Sequence, residues 1–171
     1  DLRRANFSEL DLSETNFEHS HMQEINLSGT DLSRASFNYA DLTRANLNAT
    51  RLYEVDAQHA QLIGATLSNG VLHQVNFNHT KLNEAQFDEC TIQGLSLVGA
   101  DVSKVDLSGF NLSGVRFNQA TGVGFKASKS NFTGAHFEDA NLKGADLSGA
   151  NLSDSTLISV QLEDADLSGC L

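Results

Sequence analysis

Large apolar residues recur at every fifth position along this chain. From Leu2 to Leu167 there are 34 such sites, and Leu, Ile, Val, Met or Phe fills 31 of them. The exceptions are Ala57, Gly122 and Ala127. Two residues earlier in each unit, from Ala5 to Cys170, a small residue (Ala, Ser, Thr, Val, Cys or Gly) occupies 29 of 34 sites. The residue just before the large one is Asp or Asn in 18 of 34 units. All 33 Asp, Glu, Lys and Arg residues fall in the other three columns. Two columns of five are therefore expected to face a dry core, because a lone buried charge is costly. A helix would rotate a five-residue apolar column steadily around its axis. Inward residues at i−2 and i fit the alternation of a strand, and the rest of each unit fits a corner. Short strands with regular corners wind into a coil, and stacked coils pair as parallel ladders.

Runs such as Ala145-Asp146-Leu147-Ser148-Gly149 followed by Ala150-Asn151-Leu152-Ser153-Asp154 carry the motif A-[DN]-L-x-x. With it the sequence resembles the pentapeptide-repeat family over residues 1–171, read as a single domain. The resemblance implies an all-β fold, a right-handed quadrilateral parallel β-helix with four units, or twenty residues, per coil. Thirty-four units would make about 8.5 coils, a rod roughly 40 Å long at ~4.8 Å per coil. Eight large-apolar sites are Phe, and five of them (Phe17, Phe37, Phe77, Phe117 and Phe137) share one twenty-residue register. Their rings are expected to stack coil on coil. In the stretch Thr121–Ala127, Phe125 holds a small-residue site beside the undersized Gly122 and Ala127. It is expected to turn inward and fill the space they leave.

Proline is absent from all 171 residues. That fits a backbone whose N–H groups are nearly all committed to a ladder. No apolar run approaches the ~18 residues of a membrane span, and no signal peptide is visible. The sequence starts in mid-pattern without Met and ends in pattern at Cys170-Leu171, so flanking segments are expected. Cys90 and Cys170 sit in the small inward column four coils apart, about 19 Å at ~4.8 Å per coil, too far for a disulfide. Two buried, reduced thiols are expected. The net charge of −11 argues against direct binding to nucleic acid.

No catalytic constellation, cofactor motif or metal-ligand spacing appears. The many Asp and Asn residues read as corner residues whose side chains bond nearby amides. Asn-x-Ser/Thr triplets read as by-products of the repeat. One surface column stands apart: His19, Tyr39, His59 and His79 follow one another at twenty-residue spacing. Beside them run Glu18, Asn38, Gln58 and Asn78, so the neighbourhood is aromatic, rich in amides and nearly uncharged. Such composition suits a protein interface. Only His59 and His79 lie in adjacent coils, too few for a closed zinc site.

Acidic charge gathers at the ends. Residues 1–31 carry net −5, residues 138–171 net −6, and residues 32–137 are neutral. Two functions follow. The first is a non-enzymatic protein-interaction or scaffold module with a protein partner, docking through His19, Tyr39, His59, His79, Asn38 and Asn78. Within the resembled family, bacterial secreted effectors carry such repeats, which makes the cytoplasm or secretion as an effector the expected location. The alternative is an acidic rod that mimics DNA and binds DNA gyrase, as quinolone-resistance members of the family do. It would act through Asp11, Glu14, Asp31, Asp146, Asp164 and Asp166. The neutral waist, the uninterrupted repeat and the lack of a following dimerisation helix count against it. End-on or side-on self-association is compatible with either.

Overall fold

The computed structural model describes residues 1–171, and its 34 units fold alike. In most, the residue before the large apolar one pairs in parallel with the residue twenty positions on, as in Asn6↔Asn26, Asp101↔Thr121 and Asp146↔Asp166. One circuit of the solenoid is therefore twenty residues and four units. Between pairings the chain turns. The small residue's N–H closes on the carbonyl three residues back, as from Ala5 to Leu2 at 3.1 Å. The third turn residue is left-handed in every unit: 23 non-glycine residues at φ 53–62°, and glycine at the other 11. A positive φ at that place is the mark of a type II turn. The N–H of this strained residue is not wasted; Arg4 donates it to Gln23 O in the next coil at 3.0 Å, and the pattern repeats.

On one side, three consecutive coils extend into three-residue strands: β1 (Arg51–Tyr53), β2 (Val71–His73) and β3 (Thr91–Gln93). They pair in parallel in the order β1-β2-β3, with Arg51↔Val71 and Val71↔Thr91 in register. No helix is long and apolar enough to cross a membrane.

The large and small columns merge into one core of 44 buried apolar residues. Buried hydroxyls in the small column are satisfied by carbonyls: Thr30 donates to Leu27 O at 2.6 Å, Thr50 to Leu47 O at 2.7 Å and Ser130 to Leu107 O at 2.6 Å. Phe rings stack in two pairs rather than one continuous column, Phe17–Phe37 at 5.1 Å and Phe117–Phe137 at 5.2 Å. Ala57 separates Phe37 from Phe77, and an apolar void of about 10 Å³ lies there. Leu97 separates Phe77 from Phe117. Phe125 does point inward and is fully buried, its ring 5.7 Å from that of Phe117. A side chain at Gly122 would meet Leu142 at 2.9 Å and the Phe125 Cβ at 3.1 Å. The pairings Asp101↔Thr121↔Asn141 and Asp106↔Lys126↔Asp146 run through this stretch unbroken.

The ladder does break, but elsewhere. Between residues 85–95 and 106–116 the N–H groups of Phe87, Glu89, Ile92, Gly94, Asp106, Asn111 and Arg116 make no bond to the neighbouring coil, whereas their counterparts in the other coils do. Pairing holds at Lys81↔Asp101 on one side of this seam, and resumes on the other at Ser96↔Arg116 through the Leu97 N–H, which donates to Arg116 O at 2.8 Å. Volume explains the location. Five small-column sites hold oversized residues: Leu10, Ile25, Leu95, Phe110 and Phe125. Leu10 is exposed in the first coil, Ile25 stacks between Ala5 and Ala45, and Phe125 is offset by Gly122 and Ala127. Leu95 and Phe110 lie on opposite sides of the seam, in register with Val115 and Cys90, among full-sized Ile92, Leu97, Leu107 and Leu112. Excess bulk in a packed core is relieved by backbone displacement.

The seam also corrects the expectation for the thiols. Both cysteines are free, but each is half-buried rather than buried. Cys90 lies at the seam, where its carbonyl receives no bond from the coil above, and Cys170 lies in the last coil.

Candidate docking face

The column of His19, Tyr39, His59 and His79 sits at the left-handed turn residue, φ 57–61° in all four. Each backbone N–H bonds the flanking column one coil up: His19 to Asn38 O at 2.9 Å, Tyr39 to Gln58 O at 3.0 Å, His59 to Asn78 O at 3.1 Å and His79 to Val98 O at 2.8 Å. With backbones locked in register, the side chains leave in the same direction at one coil spacing. The rings stack face to face, with centroids 5.0, 4.8 and 4.9 Å apart and planes within 7–9° of parallel. Ring faces are spent on one another, so the column presents a row of polar ring edges. Tyr39, 54% exposed, stands second in the row. Gly99 ends the stack. A Cβ there would clash with His79 Nδ1, so the absence of a side chain leaves room for the last imidazole.

The amides beside the stack act mainly as its frame. Asn38 donates to Asp56 Oδ2 at 3.0 Å and accepts the Gln58 N–H at 2.7 Å. Asn78 Oδ1 accepts the Ser96 hydroxyl at 2.7 Å and the Val98 N–H at 3.0 Å. The sequence-predicted set therefore divides: the four rings come together as a stack, while Asn38 and Asn78 hold the wall beneath. A second aromatic pair, Tyr53 on β1 and His73 on β2, packs at 5.3 Å with planes tilted by 36°. Sequence reading passed over it, although its twenty-residue spacing is the same signal.

Asp11 and Asp31 lie in register in adjacent coils, as do Asp146 and Asp166, and most of the end acids are bonded locally. Asp11, Asp31, Asp146 and Asp166 each accept the N–H two residues on, from Ser13, Ser33, Ser148 and Ser168, at 2.9–3.0 Å. Asp31 also pairs with Arg51 at 2.9 Å, and Glu14 pairs with Arg34 at 2.9 Å. Asp164 makes no side-chain bond. Hydroxyl donation from Ser33 and Ser148 holds the Asp31 and Asp146 carboxyls below the usual carboxylate range. No group of three or more His, Cys, Asp or Glu side chains is placed to hold a metal ion.

This geometry can be set beside known proteins. Family models described as pentapeptide repeats match residues 1–38, 11–48 and 130–169, and one described as a pentapeptide repeat region matches 40–117 and 67–147. The chain belongs to the pentapeptide-repeat family. No curated protein sequence gives a significant match. Among solved structures, HetL from the cyanobacterium Nostoc, a pentapeptide-repeat protein involved in regulating heterocyst differentiation, is 23% identical with a TM-score of 0.60, over 98% of this chain and 86% of its own. A trypsin-treated form of QnrB1, a plasmid-mediated fluoroquinolone resistance protein, is 19% identical with a TM-score of 0.70, over 97% of this chain and 90% of its own. A pentapeptide-repeat protein of the Arabidopsis thaliana thylakoid lumen is 27% identical with a TM-score of 0.57, over 58% of this chain and 70% of its own. The first two likenesses lie below 25% identity and speak for the β-helix architecture alone. As a pentapeptide-repeat solenoid, the chain is a repeat scaffold.

Proposed function

We propose that this scaffold is a non-enzymatic interaction module, and that it docks a protein partner through the face bearing His19, Tyr39, His59 and His79. The observation carrying this reading is the four-ring stack, exposed at its edges and framed by amides already bonded within the molecule. A prebuilt ladder of aromatic edges loses little side-chain entropy on binding. Its weakly charged surroundings cost less to desolvate than the ion-paired columns. Tyr39 is the anchor, since a Tyr at a desolvated centre can carry ~2 kcal/mol or more. The test compares capture of partners by the wild type, by Tyr39→Ala/His59→Ala/His79→Ala and by Asp11→Asn/Glu14→Gln/Asp164→Asn/Asp166→Asn. Partners lost from the ring variant and kept by the acid variant support the face. Equal recovery by wild type and ring variant rejects it.

The net charge of −11, concentrated at the ends, favours one second reading, a DNA mimic acting on gyrase. The QnrB1 likeness lends it shape and nothing further. Here the acid variant would lose the activity and the ring variant keep it. Protection of gyrase supercoiling from a quinolone by the wild type would establish this reading in place of the first.

A further inference from the structure

The seam between residues 85–95 and 106–116 is more than a missing set of bonds. It encloses a cleft of about 260 Å³, with Thr91–Leu95 on one wall and Asn111–Val115 on the other. That is room for about eight waters at ~30 Å³ each. Its lining is apolar at Ile92, Leu95, Leu112 and Val115, and polar at Thr91, Gln93, Asn111 and Ser113. The lower wall is the open edge of β3 with the turns that flank it, and the upper wall is the bridge-and-turn backbone of the next coil. The lower one offers the N–H groups of Phe87, Glu89, Ile92 and Gly94 and the carbonyls of Ala85, Cys90 and Leu95. Facing it are the N–H groups of Asp106, Asn111 and Arg116 and the carbonyls of Asp106, Ser108, Asn111 and Ser113. Most of these groups belong to exposed residues, so the edge is open to pairing with an added main chain.

Charge gives the cleft a direction. Asp88, Glu89 and Asp106 stand toward one end of the open edge, and none of the three is in an ion pair. Arg116 stands at the other end, also without an ion-pair partner.

We propose that the seam is a binding site for a short extended peptide, running parallel to the coil strands, with a basic residue toward Asp88, Glu89 and Asp106 and a carboxylate toward Arg116. Main-chain bonds to an exposed edge supply affinity in such strand addition, and alternate side chains enter the cleft. An apolar residue in the second half of the peptide would meet Ile92, Leu95, Leu112 and Val115. The site exists because Leu95 and Phe110 hold the coils apart, so reducing either side chain should let the ladder close and remove it.

The probe is the pentapeptide Arg-Ala-Asn-Leu-Asn with a free carboxylate, copying residues 44–48 of this chain. It is titrated to millimolar concentration into ¹⁵N-labelled full chain while amide shifts and hydrogen exchange are followed. In the free protein, the seven seam amides should exchange at least a hundredfold faster than their counterparts one coil away. The peptide should shift those amides selectively and slow their exchange at least tenfold; the reversed-charge peptide Glu-Ala-Asn-Leu-Lys-amide should do neither. In Phe110→Ala, and independently in Leu95→Ala, the amides should be protected without peptide and unmoved by it. The proposal is overturned if the seven amides of the wild type are as slow as their neighbours. It is overturned equally if the peptide shifts nothing there, or if protection appears only as the protein itself dimerises with concentration, which would make a second copy the occupant.

Discussion

At position 125 a phenylalanine stands where the repeat asks for a small residue, and its neighbours at 122 and 127 give way to it. The side chain is fully buried against Phe117. Replacing it by Ala would leave a cavity that Gly122 and Ala127 cannot fill, so Phe125→Ala should cost ~3–5 kcal/mol in a denaturant melt. A loss under ~1 kcal/mol would mean that the ring does not support the core. That compensation was readable from the sequence, because excess and deficit lie within a few residues of each other. The misfit at Leu95 and Phe110 was harder to see. Each is an ordinary apolar residue, and column counting does not add volumes across coils. Gly99 tests the aromatic column from the other side. It has φ 65°, and a Cβ added there would run into the His79 ring, so Gly99→Ala should displace that ring and shift the ring resonances of His59 and Tyr39 in turn. Cys90 belongs to this scale as well. Burial pushes its thiol up to about 11, and its Sγ donates to Leu67 O at 3.0 Å. At neutral pH it should react with iodoacetamide far more slowly than an exposed cysteine.

At the scale of the repeating unit, the Asp or Asn before each large residue caps the turn that follows it. The sequence made that role legible, since the residue recurs in phase with the corner. Ser13, Ser33 and Ser148 draw the carboxyls of Asp11, Asp31 and Asp146 downward by hydroxyl and amide donation. At Asp41 and Asp101 burial pushes upward, yet donation from Thr43 and Gln23, and from Ser103 and Asn83, leaves both carboxyls low. A carboxylate whose folded pKa is depressed stabilises the fold above its unfolded pKa, and that contribution is lost as pH falls through the folded value. Stability should thus be level from pH 7 to about 5 and decline below about pH 4, where these carboxylates take up protons. Urea midpoints across that range would show it. Asp31→Asn/Asp146→Asn keeps an acceptor at each turn while removing the titration, and should flatten the acid limb. An unchanged acid limb would place the pH dependence elsewhere.

For the whole molecule, a five-residue period that never slips carried the architecture, because each unit repeats the same inward pair and the same corner. The register of the aromatic column was equally legible, since twenty-residue spacing puts side chains in consecutive coils. Parallel ring stacking, and the commitment of Asn38 and Asn78 to the wall, depend on side-chain geometry that a pattern of residue types does not carry. The central claim is that this rod meets a protein partner along the stack. The most direct measurement replaces Tyr39 by the photoreactive p-benzoylphenylalanine and, in separate chains, places the same group at Asp164 and at Gly134. After irradiation with the native partner pool, a discrete adduct should form from position 39 and not from positions 134 or 164, and excess unlabelled wild type should abolish it. Adducts from position 164 alone would contradict the docking face and move the contact to the acidic end.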